Sequence, residues 1–577
     1  MVGTEYAARE GVSPDVRDHA ALHSGGAFAP HKWVIAGTVL TGTFMAVLDA
    51  SIVNVALPHM SGTLGATLEE ITWVATGYLL ANVLIMPVIA LLSARFGRKR
   101  FYMASVFAFT LASIACGAAR NLPLMVAFRA VQGIGGGAMI TVAQAILRET
   151  FPPEEQGLAM GIYGVGIVVA PAVGPTLGGW LTDQYSWPWI FYVNVPIGIV
   201  NLLLVQRYIF DPPYFVREKG RIDWTGLGYM AVGLGALQLM LEKGQDKEWF
   251  SSALICWLAV FAAVGLVAFV WRELAIERPA VDLRILKNVP FASGTALGGV
   301  LGMGMFGTLF LLPMFLQNLL GFPAMMSGVA MLPRSIASAV VGPIAGRYYN
   351  RIGPRVLVAA GLALNALGFW QFSHLTTQVG AWDLLWPQIW QGAGMGLLFL
   401  AIATAALSTI PRPKMTAATG LYNVVRQVSA SIGIAVAATQ VDAGAHRYHD
   451  LLADGITPYS EGARMMLQSL TASMMAAGSD AVTAAHRALA IMNLRVTRQA
   501  VVLSYNHLFQ MTAMLFIIVL PLALLLKATP GVRGAAPAVP PPAPPEPMMR
   551  PRAEPVRAPA PEELEELVGA GAGAGAH

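Results

Sequence analysis

Charged side chains are scarce in this chain. Asp, Glu, Lys and Arg make up 12% of its 577 residues, about half the share of roughly 25% usual for soluble domains. Meanwhile 56% of the chain is hydrophobic and its mean hydropathy is +0.59. So little charge cannot cover a water-facing surface, and the composition reads as a polytopic membrane protein. Cysteine is rarer still. Cys116 and Cys256 are the only two, both inside apolar runs and without CxxC spacing, which argues against a disulfide framework and against a zinc site. No GxxxxGK[ST] phosphate loop, no HExxH and no catalytic triad pattern is present, so nothing points to an enzyme, a bound cofactor or a metal. The GIGGGA run at 133–138 resembles a nucleotide-binding turn, but it lies within an apolar run and follows no strand, so it reads as helix packing. The formal charge of +5 is small and gives no case for nucleic acid. Residues 1–32 lack the basic start, short apolar core and small-residue cleavage site of a signal peptide, so the first apolar run is expected to act as its own targeting signal.

What the chain has is long apolar runs. A hydrocarbon core of about 30 Å takes about 20 helical residues, and fourteen runs of that order are present, at 33–57, 71–93, 101–119, 123–147, 157–182, 189–206, 224–241, 252–271, 290–316, 324–346, 356–374, 384–409, 417–440 and 503–526. In lipid such runs must be helices. The loops after even-numbered spans hold eighteen Lys and Arg, among them Arg95, Arg98, Lys99, Arg100, Arg148, Arg217, Lys219, Arg221, Arg278, Arg347 and Lys414. The short loops after odd-numbered spans hold only Arg120, Lys243 and Lys247. Basic loops stay in the cytoplasm, so both termini are expected there, and an even number of spans agrees. Residues 441–502 form a long external segment with apolar residues at helical spacing around 465–474 and 489–496, read either as a helical hairpin or as a solvated loop. Beyond Lys527 a Pro-rich stretch, an acidic EELEEL and a Gly/Ala repeat are expected to form a disordered cytoplasmic tail.

The chain also matches itself. ARFGRK at 94–99 pairs with NRIGPR at 350–355 at an offset of 256, and RAVQGIGGG at 129–137 pairs with QIWQGAGMG at 388–396 at an offset of 259. FPPEEQGLAMGIY at 151–163 pairs with IPRPKMTAATGLY at 410–422 at the same 259. Offsets that drift by so little across several helices indicate two parallel six-helix halves, the plan of rocking transporters with sites near the bilayer midplane. The expected division is a cytoplasmic segment 1–32, a first half 33–210, an inserted helix pair with linkers 211–289, a second half 290–527 and the tail 528–577. The halves differ in charge: Arg129 corresponds to Gln388, and Arg426 to Ile167.

Few residues in the spans can carry chemistry. Asp49 sits deep in the first span, where a carboxylate costs roughly 2.5 to 3.5 kcal/mol unless it meets a polar cavity or a partner. Its functional reading is a proton carrier; the structural one is a helix-end or ion-pair residue. Arg129, Gln132, Gly133 and Gly136 share one face of span four, and Arg129 is placed to modulate Asp49, the rival being a static pair that orients helices. Gln132, Asn54, Tyr422, Asn423 and Arg426 are candidates for a substrate cavity. In span five, Pro171, Gly174, Pro175, Gly178 and Gly179 suggest a helix that bends and packs closely at one place. Arg95, Gly97, Arg98 and Lys99 form a basic loop whose recurrence suggests a lock between the halves as well as a topogenic signal. His59 and His374 read as interfacial residues.

Taken in order, LDASIVNVALP in span one, ARFGRKR, RAVQGIGGG and APAVGPTLGG, with WIFYVNVPIGI at 189–199, resemble the motifs of the major facilitator superfamily, and within it the fourteen-span drug:proton antiporters. The resemblance spans about 33–527. It implies an all-α major facilitator fold and alternating-access export of small amphipathic toxic compounds across a bacterial inner membrane in exchange for protons, with no cofactor beyond the gradient. It also implies a periplasmic membrane-fusion adaptor and an outer-membrane channel as partners, engaged through 441–502. Two positions depart from the pattern. Ala90 and Ala94 stand where the loop motif has Gly and Asp, removing a carboxylate from the cytoplasmic latch, and Ala170 stands for the first Gly of the span-five motif. A transporter of one endogenous metabolite, fatty acid or siderophore is the second reading, and a membrane scaffold or receptor the third.

Overall fold

The structure, a computed structural model, describes residues 29–211, 222–276, 279–322, 324–457 and 459–526. The expected tail at 528–577, residues 1–28 of the N-terminal segment, and Arg217, Lys219, Arg221 and Arg278 lie outside the described residues.

Every regular element among the described residues is helical. The first half comprises α1 (Ala29–Leu64), α2 (Trp73–Ile85) continuing through a 3-10 turn at Pro87 into α3 (Ile89–Phe96), α4 (Arg98–Gly117), α5 (Leu122–Thr150), α6 (Gln156–Gln184) and α7 (Asn194–Tyr208). The inserted pair is α8 (Trp224–Lys243) and α9 (Ala253–Ala275). The second half comprises α10 (Val289–Met314), α11 (Leu332–Ile352), α12 (Pro354–Phe372), α13 (Ala381–Leu407), α14 (Met415–Asp454), α15 (Glu461–Ala476) and α16 (Ala481–Val519). Thirteen described helices are long and apolar enough to cross a bilayer. The run expected as the ninth span is α10, whose part Val289–Gly304 counts as a shorter apolar helix, so thirteen rather than fourteen spans meet that measure.

Local sequence sets several boundaries. Gly97 and Gly353, equivalent across the repeat, both take positive φ, at 92° and 85°, and turn the chain between consecutive helices. A residue with a Cβ is strained there, which explains why this glycine recurs in both copies. Asn121 caps α5 by accepting a bond from the Leu124 amide at 3.0 Å, and Asp480 caps α16 through the amides of Val482 and Thr483.

The two halves repeat in three dimensions. A Cβ on Gly133 of α5 would meet the carbonyl of Tyr78, and one on Gly392 of α13 would meet the carbonyl of Arg334. Likewise Gly137 lies against the Asn82 carbonyl and Gly396 against that of Ser338, while Gly135 lies against the Ser105 carbonyl and Gly394 against that of Gly361. In each pair the glycines differ by 259 and their partners by 256, the sequence offsets themselves. Small residues let the helix backbones approach at these crossings.

The halves meet on the face carrying the basic loops. Gly157 and Gly161 of α6 lie against Gly346 and Gly342 of α11, backbone to backbone, and the Asn350 amide donates to the carbonyls of Pro153 and Glu154. The inserted pair folds on itself where Gly233 meets Gly265. It then bridges both halves: Lys243 donates to Thr72 at 2.6 Å, and Gln238 to Ser431 at 2.8 Å.

The segment 441–502 is largely helical and continuous with the membrane helices. Helix α14 runs on for 40 residues and α16 for 39, so two membrane helices extend directly into the segment and α15 packs against α16. Hydropathy stops at the membrane edge, but backbone hydrogen bonding does not, and the Ala-rich composition sustains the helix.

Candidate functional site

Helix α1 places Asp49 at the centre of the first half, wholly buried. Its Oδ2 accepts from Arg129 Nη1 at 2.5 Å. Its Oδ1 accepts from Gln132 Nε2 and from Asn194 Nδ2, each at 2.8 Å. Both amides also donate at 3.1 Å to the Ser113 hydroxyl, which in turn donates to the Phe191 carbonyl at 2.9 Å. The guanidinium of Arg129 is itself fixed: Nε donates to the Val74 carbonyl at 3.1 Å, Nη1 also reaches Gln132 Oε1 at 2.8 Å, and the ring of Tyr78 lies 4.3 Å away. Tyr78 in turn donates to the Ala46 carbonyl at 2.9 Å, one turn before Asp49.

This arrangement has a direct chemical consequence. The carboxylate accepts three hydrogen bonds, and a proton added at Oδ2 would compete for the lone pairs that hold Arg129. Protonation and the ion pair therefore oppose each other. Removing either partner of a buried pair costs about 3 to 5 kcal/mol because it strands the other. A helix movement that separates the two favours proton uptake, and one that rejoins them favours release.

The geometry joins Asp49, Arg129 and Gln132, with Gln132 bonded to the carboxylate itself. Asn54 is exposed and lies outside the cluster. Asn423, expected in a cavity, donates to Gln144 at 2.9 Å and so ties α14 to α5 across the halves. Arg426 lies 5.7 Å from the Phe399 ring and reaches Asn423 at 3.4 Å, and Tyr422 is buried against Gly298. These three form a second polar patch with residues of both halves around it.

Helix α6 stays continuous through Pro171 and Pro175. Gly174 and Gly178 press on Ser51 and Ile52 of α1, and Gly179 on Val55, so the motif seats α6 against the turn that follows Asp49.

At the basic face, Arg98 pairs with Glu149 and donates to Thr416 of the other half at 3.0 Å. The Lys99 amide donates to Asp211 at 2.8 Å. The carboxylate missing at Ala94 is thus supplied from elsewhere. Arg95 lies in the last turn of α3 just before this loop, exposed. Sequence reasoning missed Glu149, Asn194 and Ser113. The signal for Asn194 was its place as the one amide in WIFYVNVPIGI; Glu149 and Ser113 carried none. Among the described residues no group of three or more His, Cys, Asp or Glu could hold a metal ion.

Residues 39–434 match the family model described as Major Facilitator Superfamily. The chain is 35% identical over 84% of its length to the fatty acid resistance protein FarB of Neisseria gonorrhoeae, covering 94% of that protein. It is 33% identical over 85% of its length to the multidrug export protein EmrB of Escherichia coli K12, again covering 94% of the relative. The human organic anion transporter MFSD10 has a similar fold, with a TM-score of 0.52 at 12% identity, covering 84% of this chain and 99% of that one. With its paired halves, its crossing glycines and these relatives, the chain belongs to the Major Facilitator Superfamily.

Proposed function

We propose that this protein is a proton-coupled exporter of amphipathic compounds, working by alternating access in the bacterial inner membrane with both termini in the cytoplasm. The observation that carries the reading is the buried Asp49–Arg129 pair at the packing surface of α1 and α6. Relatives named for multidrug export and fatty acid resistance support it.

In the conformation described, the halves are joined at the basic face and Asp49 is held as a carboxylate by Arg129, Gln132 and Asn194. With this face closed Asp49 takes a proton from the external side and lets go of Arg129, and rocking of the halves then slides α6 along residues 51–55 and opens the cytoplasmic side. There the proton leaves to the cytoplasm and the pair reforms, substrate binds, and the return movement carries it outward. Energy comes from the proton gradient, and no cofactor takes part. Arg98, Glu149 and Thr416 act as the latch of the basic face, with Arg95, Gly97 and Lys99 shaping its loop. The helical extensions within 441–502 give an adaptor protein a surface outside the membrane, leading to an outer-membrane channel.

The similarity to FarB favours a narrower version, export of fatty acids. Everted membrane vesicles from an efflux-deficient strain test the reading. With an acridine dye reporting the pH gradient, addition of a transported compound restores fluorescence when the wild-type protein is present. No recovery across a panel of amphipathic cations, neutral compounds and acids would refute proton antiport.

A further inference from the structure

The repeat that builds the first-half proton site continues into the second half, but with a cation and no matching carboxylate. Tyr78 and Arg334 occupy equivalent places, since their carbonyls face the equivalent crossing glycines Gly133 and Gly392. Arg129 and Gln132 of α5 correspond to Gln388 and Gln391 of α13. In the first half these positions surround a carboxylate. In the second half they carry a guanidinium and two amides.

Among the described residues no acid pairs with that guanidinium. Arg334 is 5% exposed, Gln388 0% and Gln391 1%. Among the described residues no acid lies within ion-pair distance of Arg334, and Gln388 Nε2, Gln388 Oε1 and Gln391 Nε2 lack hydrogen-bond partners. From residue 288 to 441 the only acid is Asp383, and its carboxylate is occupied in capping α13 through the Gly380 amide at 2.8 Å. A buried cation and buried amides without partners are costly, and all three offer donors. Guanidinium and amide N–H groups together suit a carboxylate, which accepts bidentate bonds.

We propose that Arg334, with Gln388 and Gln391, forms a subsite for the carboxylate of an anionic amphiphile, and that the transported substrate supplies the negative charge this half lacks. The inference rests on the exporter reading and names its substrate class. The substrate's carboxylate lies in the second half while the proton exchanges in the first, so cargo and proton do not share a residue.

The test uses the full-length protein in lipid nanodiscs and binding of radiolabelled dodecanoate above the background of empty nanodiscs. Unlabelled dodecanoate, dodecanol and dodecyltrimethylammonium serve as competitors. The expected result is displacement by the acid at concentrations at least 10-fold below those needed for the alcohol or the cation. Arg334→Gln is expected to weaken dodecanoate binding by 10-fold or more, and Arg334→Lys by less. Equal competition by all three compounds in wild type overturns the proposal without any variant having to fold, and so does unchanged binding in a folded Arg334→Gln protein. Proton release is measured on the same samples. Release with no preference for acids leaves antiport standing and removes this inference, whereas selective acid binding with no release removes antiport and leaves the subsite.

Discussion

Gly161→Ala is the substitution whose effect follows most directly from the contact between the halves. A Cβ at position 161 would stand 2.7 Å from the Gly342 carbonyl oxygen and 3.1 Å from its carbon. Both atoms are backbone, so the methyl cannot be accommodated by a rotamer change. Overpacking of this kind costs about 1 to 3 kcal/mol. On the alternating-access proposal this contact is made only while the basic face is closed, so the cost falls on that state alone and shifts the equilibrium toward opening by about 5- to 150-fold. Gly166→Ala is the control: on the same helix, its Cβ would meet nothing nearer than a Leu40 methyl at 4.0 Å, and it gains the same helix propensity. The assay replaces Cys116 and Cys256 by Ser and introduces Ala418→Cys, a position fully buried in this conformation. An impermeant thiol reagent is then applied from the basic side. Labelling is expected to rise by the stated factor in Gly161→Ala and to stay within about twofold in Gly166→Ala. Equal rates in the two variants would refute the argument that the α6–α11 crossing opens during transport.

Arg129→Lys keeps the charge but loses the Nε bond to Val74 and the guanidinium stack on Tyr78. At about 2 to 3 kcal/mol, proton-coupled efflux is expected to fall roughly 30- to 150-fold with protein abundance unchanged, as read in vesicles and by immunoblot; equal loss of both would point to a folding role. Glu149→Gln removes the charge partner of Arg98 and is expected to raise labelling at position 418 by about 10-fold or more, while unchanged labelling would dismiss the latch. Hydrogen bonds from Arg272 at 2.8 to 3.0 Å hold the Asp223 carboxyl below the ordinary carboxylate range. The lowered value means that the stability from this pair is full above about pH 4, the ordinary value, and is lost as pH falls through the folded one. Arg272 is partly exposed, so the gap in thermal stability between wild type and Asp223→Asn should reflect about 1 kcal/mol at neutral pH and close on acidification; a gap that widens on acidification would contradict the assignment.

Much of this was legible in the sequence because few residues in the spans are polar. Asp49 and Arg129 stood out as lone ionisable groups in apolar helices, and a membrane leaves such groups little choice of partner. The repeat was legible through its glycines, whose offsets reappear as helix crossings. The rest depended on contacts between distant segments. Asn194 reaches Asp49 across 145 residues, and Glu149 meets Arg98 across 51. Asn54 lies on the exposed face of α1, away from Asp49. The full length of α14 and α16 was hidden because hydropathy reports the bilayer rather than the helix.

The central claim is that Asp49 exchanges a proton when substrate binds. Proton release from the detergent-purified protein tests it, measured on adding amphipathic acids and cations to wild type and to Asp49→Asn. The account predicts substrate-dependent release in wild type that disappears in the variant, while binding remains measurable. Release that persists in Asp49→Asn would place the exchanging group elsewhere and contradict the account.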